Sequence, residues 1–327
     1  MDKYKQMKMK TLATFFKSMT IFLVLLSNAS CIDYITDFKI GAVSPKLVLN
    51  AMITPDTLIV HLSRNMDIKS KTNYDEIFIT NATVTLFENG VKKGNLQHTE
   101  LLIDEYSEKG FYILDDFVPK VGATYKIEAE AKGFPKISAI TTIPFLPQSI
   151  KIDTLTRINN YELIFEIITE IINNNGQKNY YGFSIPSRLE MYDYTVNCEF
   201  STSTPSLIEF YRNFGTFDIM YIDFDSYYYC DYFFTSDKNL SAKPLNLKFF
   251  LNRGNLNYLE NEELEFVVDV YSSEYYAHLL SLARIYSSDE TGLFSEKVSV
   301  YTNVENGLGV FGAKNSYRKL FKIEKQP

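Results

Sequence analysis

The chain has 327 residues and a formal net charge of −7, which is enough length for more than one core and the wrong field for a polyanion. Nucleic-acid binding is therefore disfavoured. An aromatic share of 15 % with no tryptophan is the composition of a folded, β-rich chain and excludes wholesale disorder.

Residues 1–30 are organised as an export leader. Lys3, Lys5, Lys8, Lys10 and Lys17 precede the apolar run 21–26, and small residues separate that run from Cys31. The order basic, apolar, small is that of a secretory signal, and the apolar run is far short of the roughly 20 residues a membrane span needs. A cysteine directly after the small residues is placed to carry lipid, so the mature chain is expected to start at Cys31 with a palmitate-type anchor. The plainer alternative is cleavage near Ala29 with Cys31 left as a spare thiol. Asn28 stands three before the cysteine, where bacterial lipoproteins usually carry Leu.

Residues 31–44 form a tether that reaches at most about 45 Å when fully extended. Strand-type alternation then begins at residues 45–51 and returns at 57–64, 82–88, 111–114, 123–131 and 136–143. Asn89-Gly90 suits a tight hairpin, because both residues tolerate positive φ. No helical periodicity interrupts this half, which predicts a β-sandwich of about seven strands over 45–146. Pro144 and Pro147 mark the boundary to a second β-rich domain, 147–327. Its strands are expected at 161–172, 178–186, 191–200, 216–224, 227–235, 244–252, 263–271, 296–302 and 308–323. One helix is expected at 273–287, where Tyr276, Leu279, Leu280 and Ala283 repeat at i, i+3, i+4 and i+7. The fold class is thus mostly β: two sandwich-type domains and one short helix.

Two cysteines remain besides Cys31. Cys198 and Cys230 lie in strand-like runs of an exported chain, so they are either bridged or two buried thiols. The stretch 221–234 places aromatics on both faces of a strand. Tyr227, Tyr228, Tyr229 and Tyr232 then form either a stacking face for a sugar, peptide or protein, or a hairpin packed beneath a loop. Gly307, Gly309 and Gly312 satisfy G-x-G-x-x-G in writing only, since a dinucleotide site needs that loop to open a helix inside a βαβ unit. The physical reading of Asn306, Gly307, Gly309, Phe311 and Gly312 is a strand entry where backbones approach closely, with Phe311 as a core anchor. His61, His98 and His278 share no metal-ligand spacing, and no nucleophile elbow, H-E-x-x-H or Cys–His arrangement is present. Neither a catalytic residue, a metal nor a cofactor is expected.

Residues 45–50, 62–64 and 82–90, together with 294–296 and the segment 300–312, resemble the domain of unknown function family 4249, outer-membrane lipoproteins of the Bacteroidota. That resemblance implies location in the outer membrane and no established activity. It further implies association with TonB-dependent transporters, as an accessory or ligand-binding partner. Gly110-Phe111-Tyr112, Gly122-Ala123-Thr124-Tyr125 and Gly133-Phe134-Pro135 also look like the carboxypeptidase regulatory-type sandwich. The competing expectation is a fimbrial or adhesin-type structural subunit, which requires a terminal strand able to detach.

Overall fold

Alternating apolar residues build most of the chain into strands. In the computed structural model, residues 44–66, 77–101, 108–159, 162–173, 178–185, 198–204, 208, 210–214, 230–237, 244–253, 263–289 and 299–322 are described, all within the unit Ser44–Pro327. The first half contributes β1 (Leu47–Ile53), β2 (Leu58–Arg64), β3 (Thr83–Glu88), β4 (Val91–Leu101), β5 (Glu108–Ile113), β6 (Thr124–Glu130) and β7 (Ile137–Thr142). Asn89 and Gly90 join β3 to β4 at φ 49° and 81°, the geometry a tight hairpin demands. The second half contributes β8 (Ser149–Asn159), β9 (Glu162–Ile172), β10 (Tyr180–Ser184), β11 (Cys198–Thr202), β12 (Phe210–Phe214), β13 (Cys230–Ser236), β14 (Leu245–Arg253) and β15 (Glu263–Tyr271). Helix α1 (Ser273–Asp289) and β16 (Leu308–Lys322) complete it. The molecule is mostly β with one helix among the described residues, as the alternation predicts.

Two sheets result. A 12-stranded sheet runs β12-β13-β10-β15-β16-β1-β2-β5-β4-β3-β6-β7, and a 4-stranded sheet runs β11-β14-β9-β8. Buried residues fall into separate clusters. One gathers Leu49, Leu86, Tyr125, Ile127 and Phe311 from the first half and β16, and another gathers Phe165, Phe183, Phe249, Phe266 and Val268 between the sheets of the second half. Pro144 and Pro147 lie in sequence between these cores. In a third cluster, Tyr275, Tyr276 and Leu279 of α1 cover Met52, Phe234, Tyr271 and Val310. The Ser272 hydroxyl accepts from the Tyr275 N–H at 3.4 Å, satisfying one of the donors a helix start leaves open.

β16 joins the halves. Its first part pairs in parallel with β1, from Val48–Leu308 to Ile53–Ala313, and its second part pairs antiparallel with β15, from Tyr271–Lys314 to Glu263–Lys322. Phe311 and Ala313 enter the first core, Val310 lies under the helix, and Tyr317 and Phe321 pack on the second core. One expected strand is corrected. Residues 299–302, the described part of 296–302, are not strand; the chain there is held by side chains and by a bridge between Glu305 and Ser138.

Tyr125 is fully buried, yet its phenol is satisfied: the Lys120 N–H donates to it at 2.6 Å and it faces the Lys120 carbonyl at 3.4 Å. This is the tyrosine-corner device of β-sandwiches, an OH returning to backbone a few residues upstream. Tyr125→Phe leaves the amide without its acceptor and is expected to cost about 1–2 kcal/mol, read as a shifted denaturation midpoint with an unchanged m-value.

Candidate functional site

The segment from Asn303 to Ala313 is built around close backbone contact. The Asn303 side chain acts as a short piece of strand. Its Nδ2 donates to the Phe311 carbonyl at 2.9 Å and to the Ile140 carbonyl at 3.0 Å, while its Oδ1 accepts from the Phe311 N–H at 2.9 Å. Glu305 and Ser138 exchange backbone bonds of 2.7 and 3.3 Å, and the Ser138 hydroxyl donates to the Glu305 carboxylate at 3.0 Å. Asn306 then turns the chain at φ 58° into β16. A Cβ on Gly309 would lie 2.1 Å from the Leu49 carbonyl oxygen, and one on Gly312 would lie 2.5 Å from the Tyr275 ring. One on Gly307 would meet Ile137, Val304 and the Leu47 carbonyl within 3.0 Å. This glycine run therefore opens a strand, and its chemistry is that of packing.

Half-buried Asp237 and buried Asp269 and Glu166 are likewise committed to holding strands together. Asp237 accepts from Asn173 Nδ2 at 3.0 Å and from the Asn179 N–H at 2.9 Å. Asn173 in turn accepts from the Tyr181 hydroxyl, so this cluster ties the end of β9 to β10 and β13 across the two sheets. Burial raises the Asp237 carboxyl, and burial next to Asp237 raises the Tyr181 phenol. Asp269 accepts from Tyr271 at 2.9 Å and from Ser316 at 2.5 Å, with Lys314 at 3.9 Å. Glu166 faces Lys248 at 3.2 Å. Burial holds the His61 imidazole down to about 4, so it is neutral near pH 7. Among the described residues no group of three His, Cys, Asp or Glu is placed to hold a metal.

Of the other sequence candidates, Cys31 and Tyr227, Tyr228 and Tyr229 lie outside the described residues. Tyr232 is set in β13 opposite Ser184 and Arg212. Cys198 opens β11 in the smaller sheet and Cys230 opens β13 in the larger one; the side chains of these three lie outside the described residues. The sequence reading also missed an exposed apolar group at one end of the first half. Val91, Val118, Val121 and Phe145 are 65, 71, 38 and 51 % exposed. Glu88 draws their loops together through Lys93 at 3.2 Å and Lys120 at 3.5 Å. Two valines around Pro119 and Lys120 are the only trace of it in the sequence.

Strand directions fix which end of the body faces away from Ser44. β1 leaves Ser44 parallel to β16, and the pairing along β16, β15, β10 and β13 carries that direction across the sheet. The ends of β10 and β12, and the starts of β13 and β15, consequently lie at the remote end. The level of Leu320 is about 40 Å along β16 from that of Leu308, at roughly 3.3 Å per residue.

These features define a β-rich body stapled by a glycine-lined terminal strand, with its polar clusters spent on strand-to-strand ties. The chain belongs to the family described as Domain of unknown function (DUF4249), which it matches over residues 35–319. No curated protein sequence matches it. Among solved structures, it is similar to a Corynebacterium diphtheriae protein described as membrane-anchored, at 12 % identity over 69 % of this chain with TM-score 0.21; the match spans 54 % of that protein's chain. It is also similar to the C-terminal domain of the Streptococcus agalactiae AgI/II polypeptide BspA, at 10 % identity over 70 % of this chain and 95 % of that one with TM-score 0.22. The collagen adhesin CNA of S. aureus matches at 9 % identity over 86 % and 94 % with TM-score 0.19. Among the described residues no helix is long and apolar enough to cross a membrane.

Proposed function

We propose that the protein is a non-enzymatic lipoprotein of the outer membrane, anchored through Cys31, that serves a TonB-dependent transporter as an accessory or ligand-binding partner. The observation that carries this reading is the polarity of the body. Ser44, the first described residue, lies at one end, while β12 stops and β13 starts at the remote end. The stretch between them, residues 215–229, is the one that carries Tyr227, Tyr228 and Tyr229. Tyrosine supplies large contact area with a polar tip at low entropic cost, which suits a recognition surface.

The adhesin-type alternative needs a terminal strand that a neighbour can borrow. β16 is bonded to β1 on one flank and to β15 on the other, so lending it would open both cores. The test is a pair of measurements. Cys31→Ser is expected to move the protein from the membrane fraction to the soluble fraction and to abolish incorporation of labelled palmitate. The tagged wild type, solubilised from outer membranes, is expected to bring down a transporter barrel. Wild-type protein that is soluble and unacylated sinks the anchor, and recovery of no barrel sinks the transporter role.

A further inference from the structure

β8 is the end strand of the smaller sheet. It pairs with β9 from Ser149–Ile172 to Asn159–Glu162, and among the described residues no strand pairs with its other flank. That flank is guarded at one point, where Lys319 of β16 donates to the Ile152 carbonyl. A carbonyl reached from outside the ladder points away from β9. Backbone groups of an antiparallel strand alternate between flanks, so the N–H and C=O of Thr154 and Thr156 share that open edge. Past the guard the strand is accessible: Asp153, Thr154 and Leu155 are exposed, Leu155 at 41 %. A bare edge of this kind is a template for another strand unless charge or cover blocks it.

We propose that the open stretch of β8 pairs antiparallel with the same stretch of a second copy, about a two-fold axis at Leu155. The strand's own charge order argues for a second copy as the occupant and for this register, which alone sets Asp153 opposite Arg157. Alternation of edge-facing groups requires an axis on a residue, so few registers compete. An axis at Asp153 sets two carboxylates opposite each other and needs the carbonyl that Lys319 already occupies. An axis at Thr154 sets Lys151 opposite Arg157 twice, and directly opposed like charges destabilise a strand pair. An axis at Leu155 sets Asp153 opposite Arg157 twice and Leu155 opposite itself, with Thr154 of each copy level with Thr156 of the other. An isologous contact of this kind closes on itself and ends at two copies. It extends the smaller sheet across the dimer and leaves both the Ser44 end and the remote end of each body free. The inference does not depend on the transporter reading.

Sedimentation equilibrium of the Cys31→Ser full chain tests it. The expected result is a reversible monomer–dimer equilibrium. Thr154→Pro removes an N–H that faces the open edge and takes no part in the β8–β9 ladder, so it is expected to abolish the dimer while the monomer stays folded. Asp153→Arg and Arg157→Asp are each expected to weaken association about tenfold or more. An equimolar mixture of these two variants restores it, because each then supplies the charge the other lacks. A monomer at every concentration overturns the proposal, as does a dimer that survives Thr154→Pro. Failure of the mixture to associate overturns the register.

Discussion

Gly309→Val is expected to lower stability by about 3 kcal/mol or more, the upper range for a single backbone position forced out of its native geometry. Two effects act at once. Gly309 sits at φ 97°, which branched residues essentially do not adopt, and a Cβ there would stand 2.1 Å from the Leu49 carbonyl oxygen. The contact is backbone to backbone, so no side chain can swing away. Relief requires β16 to move off β1, opening the parallel ladder that joins the halves. The check is thermal unfolding monitored by circular dichroism, where about 3 kcal/mol corresponds to a drop of roughly 5 °C. A variant that melts with the wild type would contradict the view that the glycines serve close packing. Gly90 is the internal comparison: its φ is 81°, but nothing lies within 4 Å of a Cβ there. Gly90→Ala should lose only the strain of the turn.

Asn303→Ala is expected to cost about 2–4 kcal/mol, because it removes hydrogen bonds to Phe311 and Ile140 and leaves backbone groups beside a buried strand without partners. Phe311 itself is fully buried, so water replaces the amide poorly. Asn303→Asp is the informative partner: it retains an acceptor for the Phe311 N–H but turns a carboxylate toward two carbonyl oxygens. It is expected to be at least as destabilising as Ala near neutral pH. Chemical denaturation of both variants measures this, and near-equality of Asn303→Ala with wild type would remove Asn303 from the seam.

Much of the fold is legible because burial is one-sided. β1 reads Leu47, Leu49, Ala51 and Ile53 on the core face, and β9 keeps Phe165 and Ile167 in phase despite a helix-compatible length. The turn at Asn89-Gly90 and the helix at Ser273 are equally local and equally visible. What escapes the sequence is non-local. The parallel partnership of β1 with β16 joins residues more than 250 apart, and no local period announces it. β4 is missed because its only deeply buried apolar residue among those described is Leu96. The strand expected at 296–302 is not formed over its described residues 299–302 for a different reason: the Tyr301 N–H and carbonyl are taken by the Ser281 and His278 side chains of α1.

The candidate site divides in the same way. Glycines crowded into residues 307–312 announce close packing, since each position lacks what a neighbour occupies. Asp269 does not announce its burial, because an acid in an alternating strand looks like an outward-facing residue until its partners are seen. The apolar group of Val91, Val118, Val121 and Phe145 assembles from separate loops, so only the folded chain brings it together.

The parallel seam between β1 and β16 also sets how the body answers a pull. With one grip at the Ser44 end and the other at the far end of β16, tension drags the two strands past each other lengthwise. The pairs from Val48–Leu308 to Ile53–Ala313 then share the load together, where an unzipping geometry would break them one after another. Tension between those two ends is thus resisted in shear, with the glycine-lined seam as the mechanical clamp.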